Sequence, residues 1–390
     1  MQMYVAKENE IINGEATDVY FTRVKTILEK ENLKDLRVRA EFHVYGLPQG
    51  YNWAVLSGVE EVLHVMKGRN VDIYSLPEGT VFYEREPIMM IEGNYYDFAE
   101  MESIVLGILR HYSSITTRAA RMRIAAGNKT LLFFGIRSIH PVLAPMVDRA
   151  AYIGGVDAVS GVLSKKYNNL EPTGTMPHSL VIVFNDQKKA WLSFDKHMDP
   201  NVPRIMLVDT FWDERAEALL AAKVLGEKLQ GVRLDTPGSR RGDMKRIAEE
   251  VRWALDLEGF KNVKIIVSGG LDEDDLIELR EIADGFGVGT SIAFPPSVDI
   301  SMDIVEVYEG GKWIPRTKRG KLPGAKKLYV CSPVEHYIVP WEEQPPQCRD
   351  GNAPEQILKK QMENGRIIAP PISLEEKRKY VIEQLKYLSL

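Results

Sequence analysis

Arg233 and Asp235 alternate at the end of a short apolar run, Gly231-Val232-Arg233-Leu234-Asp235, and a Pro237-Gly238 turn with Arg240 and Arg241 follows. Opposite charges placed where a strand meets a loop suit a site better than a core. A guanidinium grips oxyanions in a bidentate way, and a carboxylate accepts hydrogen bonds from hydroxyls. The pattern recurs. Phe134-Gly135-Ile136-Arg137-Ser138-Ile139-His140-Pro141, Asp209-Thr210, Ser268-Gly269-Gly270-Leu271 and Gly287-Val288-Gly289-Thr290-Ser291 each end an apolar run. A turn, Gly174-Thr175-Met176-Pro177-His178, stands before another. Glycines let the backbone come close to a ligand and bare N–H groups to an anion. A histidine on such a loop can be a nucleophile toward phosphate, a general base or a donor. Singly, each feature has a plain structural alternative: glycines that only turn the chain, a strand-end salt bridge, one polar histidine among seven. In order along the chain they point to one phosphate-rich ligand.

The elements that must position these residues follow from hydropathy period. Strands are expected at 131–134, 155–159, 180–184, 205–208, 231–234, 263–267 and 285–288, mostly separated by helical stretches such as 214–229, 244–257 and 274–282. Such alternation implies a parallel sheet with right-handed crossovers, in a barrel or a doubly wound fold, with ligands beyond the C-terminal strand ends. The remainder reads differently. Residues 1–114 are α+β, with a helix that Asp18 could cap, strands at 36–44, 71–76, 80–83 and 88–92, and helices at 55–66 and 98–109. A helix at 115–126 opens the regular part, residues 115–291. The last segment, 292–390, is expected to hold a strand at 304–308, a hairpin at 328–339 and a mostly helical stretch at 355–390.

The chain has 390 residues, 44% apolar and 27% charged, as in a globular protein of two or three domains. Its net charge of −5 advertises no nucleic acid. No apolar run reaches membrane-spanning length and residues 1–10 lack a signal-peptide pattern, so the expectation is a cytoplasmic protein with no membrane partner. Cys331 and Cys348 do not make a disulfide framework. With His336 and Asp350 they form a candidate zinc set, against the alternative of two ordinary buried thiols.

Taken together, Asp18-Val19-Tyr20, Phe134-Gly135-Ile136-Arg137, Gly174 to His178, Arg233-Leu234-Asp235, Ser268-Gly269-Gly270 and Gly287 to Thr290 resemble the nicotinate phosphoribosyltransferases of archaeal type. They are similar in part to the nicotinamide enzymes. The resemblance implies a type II phosphoribosyltransferase fold: an N-terminal α/β domain on an irregular, incomplete α/β barrel, with a small C-terminal extension. It implies subunits paired as a homodimer or a trimer of dimers, each site borrowing residues from its neighbour. Tyr20 of one subunit and Phe134 of the other should sandwich a pyridine ring, and Arg137 should face its carboxylate or the diphosphate. Arg233 and Asp235 should hold phosphoribosyl groups, with Thr175, Ser268 and Gly269 beside them, and Gly270, Gly289 and Thr290 should hold the 5′-phosphate. His178 matches a histidine that is phosphorylated when ATP hydrolysis is coupled to synthesis. The catalytic candidates are therefore His178, Arg137 and Asp235.

The implied reaction joins nicotinate to 5-phosphoribosyl 1-diphosphate in NAD salvage, with Mg²⁺, as a glycosyltransferase and, if ATP is used, a ligase. Asp157 stands where the nicotinamide enzymes carry an aspartate that favours the amide. The zinc set Cys331, His336, Cys348 and Asp350 resembles a four-cysteine knuckle of archaeal relatives. Other readings are transfer to quinolinate with loss of carbon dioxide, transfer to nicotinamide, a non-catalytic phosphoribosyl-ligand sensor, and a phosphate-binding barrel isomerase.

Overall fold

The computed structural model describes residues 3–390, apart from the side chain of Arg241. The chain divides into a central unit, Arg118–Pro295, and a terminal unit, Met1–Thr117 with Pro296–Leu390. The boundary falls inside one helix, Glu102–Ala126, where two helices are expected. Ser114 does not break it, because its hydroxyl turns back to donate to the Arg110 carbonyl at 2.6 Å.

Six short parallel strands build the central sheet, in the order Ala158–Val159, Thr130–Phe133, Gly285–Val288, Lys264–Ser268, Gly231–Leu234, Ile205–Leu207. Gly231–Leu234 and Gly285–Val288 are buried throughout, which is why they read as unbroken apolar runs. Helices Ala144–Ile153, Glu214–Leu225, Met244–Leu257 and Glu273–Leu279 fall between strands. Asp213, Asp243 and Asp272 cap the last three of these by accepting from the first-turn N–H groups of Ala216, Arg246 and Asp274. Among the described residues no ladder joins the edge strands Ala158–Val159 and Ile205–Leu207, so the barrel is incomplete.

The strand expected at 180–184 would have lain between those edges in sequence, but it is a helix, His178–Phe184. Leu180-Val181-Ile182-Val183-Phe184 carries the β-branched content of a strand, yet only Val181 is buried and Val183 is 82% exposed. One buried position in a turn and a half suits a surface helix, and Asn185 ends it in the left-handed region at φ 50°.

The terminal unit is built on a seven-stranded antiparallel sheet, ordered Lys312–Pro315, Ile300–Glu309, Arg37–Val44, Met89–Asn94, Val71–Ser75, Lys359–Glu363, Arg366–Ile367. Val38, Ala40, Phe42 and Val44 from one face of Arg37–Val44 enter its apolar core. The stretch 355–390 departs from expectation: it holds strands Glu355–Gln356, Lys359–Glu363 and Arg366–Ile367 before the helix Leu374–Leu385. Asn364-Gly365, both at positive φ, makes the two-residue turn between paired Glu363 and Arg366.

Cys331 and Cys348 are joined by a disulfide, with Cα atoms 5.7 Å apart. This corrects the zinc reading, because sulfurs bonded to each other supply no thiolate ligands. His336 gives Nδ1 to Glu86 at 2.9 Å, and Asp350 accepts from Asn352 N and Nδ2. Among the described residues no cluster of three or more ligating side chains gathers elsewhere.

Candidate active site at the strand ends

A cavity of about 700 Å³ opens at the C-terminal ends of the central strands, and all of its lining residues belong to the central unit. Five of the six strand ends contribute, all but that of Ile205–Leu207. Thr130–Phe133 leads into Phe134, Ile136, Arg137 and Ser138, and Ala158–Val159 leads into Ser160. Gly174, Thr175, Met176 and Pro177 arrive just ahead of helix His178–Phe184. Arg233 and Asp235 come from Gly231–Leu234 and its loop, Ser268 to Asp272 from the end of Lys264–Ser268, and Gly287 and Gly289 to Ser291 from the last strand. Of the residues expected to bind substrate, all but Tyr20 lie on this wall. Tyr20 is in the terminal unit, on helix Val19–Lys30, and is 54% exposed.

Three glycines matter for shape. A Cβ on Gly287 would stand 2.5 Å from the Phe134 ring, so only glycine lets that ring lie across the last strand. Gly269 and Gly270 have φ of 98° and 74°, and nothing lies within 4 Å of where a Gly270 Cβ would be. At Gly270 the backbone faces open space, as an anion site requires. Ser138 and Thr290 share a hydroxyl hydrogen bond at 2.8 Å, tying the loops after the first and last strands.

Charge is concentrated around Arg233. Its Nη2 donates to the Met176 carbonyl at 2.9 Å, and its Nη1 donates to Ser268 Oγ at 3.3 Å and lies 3.5 Å from Asp235 Oδ2. Its Nε is buried with no hydrogen-bond partner. Burial draws the guanidinium below its ordinary value, against the pull of Asp235 and Asp209. Ser268 Oγ in turn donates to Asp235 Oδ1 at 2.6 Å. Burial alone would raise the Asp235 carboxyl, but His178, Arg233 and Ser268 together hold it below the usual carboxylate range. Arg137 differs: it is exposed, and no hydrogen bond or ion pair engages it among the described residues.

His178 stands just off the cavity wall. Its Nδ1 meets Thr210 Oγ1 at 3.1 Å, while Nε2 lies 3.5 Å from Asp235 Oδ2 and 3.7 Å from Asp209 Oδ1. The Asp235 contact, with the charges of Asp209 and Asp235, raises the imidazole above its ordinary value despite burial. Asp209 lies behind the wall. Its Oδ2 accepts from Asp235 N and Thr236 Oγ1, both at 2.9 Å, and burial raises its carboxyl. Asp209 and Thr210 were visible in the sequence as a strand end but without a partner; the fold brings them to His178. Asp157 is turned away from the cavity, accepting from Leu131 N at 2.8 Å and Arg123 Nη1 at 2.9 Å.

Comparison with known proteins bears on the family. Residues 18–113 match the N-terminal domain of the quinolinate phosphoribosyl transferase family, and residues 115–303 match its C-terminal domain. A nicotinate phosphoribosyltransferase of Bacillus subtilis is 31% identical over 295 residues, 70% of this chain and 59% of that protein. This chain thus spans about six tenths of the length of such curated relatives. Among solved structures, a nicotinate-nucleotide pyrophosphorylase from Pyrococcus furiosus is 48% identical, with a TM-score of 0.96 over 100% of both chains. Human nicotinic acid phosphoribosyltransferase is 21% identical with a TM-score of 0.76 over 96% of this chain and 94% of that one, a likeness of fold. With both domains matched in order and a solved relative aligned end to end, the chain belongs to the family of the quinolinate and nicotinate phosphoribosyltransferases, of type II fold.

Proposed function

We propose that this chain transfers the phosphoribosyl group of 5-phosphoribosyl 1-diphosphate to nicotinate, giving nicotinate mononucleotide and diphosphate in NAD salvage. The observation that carries the choice of base is the cation inventory of the cavity wall. Among the described residues it holds two arginines, Arg137 and Arg233, and no lysine or histidine. Arg233 already faces Asp235, so one unpaired guanidinium remains for a ring carboxylate. Nicotinate carries one carboxylate and quinolinate two; a second would enter this cavity without a cation. Nicotinamide has no charge for Arg137 to meet, and Asp157 is occupied by Arg123 and the Leu131 N–H.

In this reading the ring stacks on Phe134 with its carboxylate on Arg137, and the bare backbone at Gly270, Gly289 and Thr290 takes the 5′-phosphate. The ring nitrogen attacks C1 of the ribose as the C1–O bond to diphosphate breaks, so positive charge grows at C1 and negative charge on the leaving group. Arg233 meets that negative charge, and Asp235 accepts from ribose hydroxyls. Mg²⁺ fits a wall that offers two cavity carboxylates, Asp235 and Asp272, with the orphaned Oδ1 of Asp209 behind it, since this ion is commonly held by one or two carboxylates and substrate phosphates. When bound it would neutralise the diphosphate. Coupling to ATP would use His178: a ring nitrogen attacks the γ-phosphorus, the bond to ADP breaks, and Asp209 and Asp235 hold the imidazole. Tyr20 would be supplied by a second copy, in a homodimer or larger assembly, acting in the cytoplasm.

The test offers nicotinate, quinolinate and nicotinamide separately, with 5-phosphoribosyl 1-diphosphate and Mg²⁺, with and without ATP. Nucleotide from nicotinate alone supports the reading. Nucleotide with release of carbon dioxide from quinolinate would replace it, and tight binding without turnover would favour a sensor.

A further inference from the structure

Glu217 is fully buried, and among the described residues no cation pairs with it. A buried carboxylate in that position needs donors. It finds them outside its own helix. Oε1 accepts from the backbone N–H groups of Phe211 at 2.8 Å and Trp212 at 2.9 Å, and from Gln187 Nε2 at 3.3 Å, while Oε2 accepts from Thr210 N at 3.1 Å. Three consecutive backbone N–H groups therefore converge on one side chain, the arrangement of an anion nest with the anion built in.

Capping does not explain this. Glu217 lies in the first turn of helix Glu214–Leu225, but Asp213 already caps that helix by accepting from Ala216 N at 2.9 Å. The first turn does favour a negative charge there. Nor do apolar contacts hold the turn 210–212, since Phe211 and Trp212 are both exposed. The Glu217 carboxylate is what fixes its backbone.

The turn has one evident task. Thr210 presents its hydroxyl to His178 Nδ1 at 3.1 Å, and the preceding Asp209 sets Oδ1 3.7 Å from Nε2 while its Oδ2 holds Asp235 N and Thr236 Oγ1. Both nitrogens of the imidazole are thus oriented from a loop whose course Glu217 dictates. We propose that Glu217 is a positioning residue: it sets Asp209 and Thr210 against His178, and through them the orientation of that ring. The catalytic consequence rests on the phosphoryl-accepting role proposed for His178; the positioning itself does not.

The experiment is therefore made without substrate and at one fixed pH, by recording the ring signals of the seven histidines of the isotope-labelled full chain by NMR, with His178→Gln to assign the signal of interest. In the native protein the Thr210 hydroxyl and the Asp209 carboxylate hold the ring in one setting. In Glu217→Gln the amide sets an N–H against one of the backbone N–H groups, the turn relaxes, and Thr210 and Asp209 withdraw from the ring. The His178 ring signals then move and broaden while the other six stay in place. A folded Glu217→Gln protein with unmoved His178 signals overturns the proposal. Should that variant fail to fold, Thr210→Val cuts the link to Nδ1 and leaves the carboxylate intact. Moved His178 ring signals there support the route through the turn, and unchanged ones overturn it. Because no substrate is present, an inactive enzyme on nicotinate would refute the proposed reaction and leave this result standing.

Discussion

On strand Arg37–Val44 of the terminal unit, Arg39, Glu41 and His43 share one face, and each is matched. Arg39 meets Glu92 and Glu306 at 2.8 and 2.9 Å, Glu41 meets Lys326 at 2.8 Å, and His43 meets Asp303 at 2.9 Å. At the strand ends of the central unit, by contrast, matching stops short. Arg233 Nε and Asp209 Oδ1 are buried without a hydrogen bond, and Arg137 has no partner among the described residues. Both regions bury charge, at the cost that burial always carries. In the first, the partners close on one another and the product is a fold. In the second, Arg137 and Arg233 line an open cavity with hydrogen-bonding capacity to spare, and we read that wall as a binding surface. Density of charge does not separate structure from site here; saturation does.

That comparison can be broken by removing charge from each region. Lys326→Met strands the Glu41 carboxylate, which burial already pushes up, and should cost about 3–5 kcal/mol of stability. Turnover per folded molecule should be unchanged; denaturant melts alongside kinetics check both. Arg233→Ala should do the reverse. Turnover should fall about 10²–10³-fold, as for loss of a donor to developing negative charge, with a smaller change in melting. Equal damage to both properties in both variants would erase the distinction.

Asp148 sharpens the boundary between the two classes, because it is central yet off the cavity wall. Fully buried, it accepts from Ser164 Oγ at 2.5 Å, has an unpaired Oδ1, and burial pushes its carboxyl up to about 6. A raised carboxyl binds its proton more tightly folded than unfolded. Stability should therefore fall as pH rises from about 4 to about 6, by up to about 3 kcal/mol. In Asp148→Asn that dependence should vanish, as urea midpoints across this range would show. Arg137→Gln should raise the KM for nicotinate about 10-fold while sparing the KM for 5-phosphoribosyl 1-diphosphate. Last, any ATP stimulation should fade as pH drops through a value above 6.5, since the His178 imidazole charges there and a charged ring accepts no phosphoryl group.

How far the sequence could be read follows the same division. The cavity wall was legible because its residues break a pattern: charge and glycine at the ends of apolar runs have few structural uses. Residues 180–184 were misread because a short β-branched run looks alike in a strand and a surface helix. The hairpin at Asn364-Gly365 carried a readable turn signal, masked by the charged residues around it that suggested a helix. Cys331 and Cys348 gave no sign of their bond, since a separation of 17 residues says nothing of Cα distance. Glu217 was invisible for a different reason. On an amphipathic helix a glutamate reads as solvated, and only the fold reveals that three upstream N–H groups end on it.

The most direct measurement is turnover by the full chain of each pyridine base with 5-phosphoribosyl 1-diphosphate and Mg²⁺, read as nucleotide formed. The account predicts nicotinate mononucleotide from nicotinate, little from nicotinamide, and no release of carbon dioxide from quinolinate. Efficient decarboxylating turnover of quinolinate would contradict the reading of Arg137 as the one unpaired guanidinium among the described residues of the cavity wall, on which the account rests.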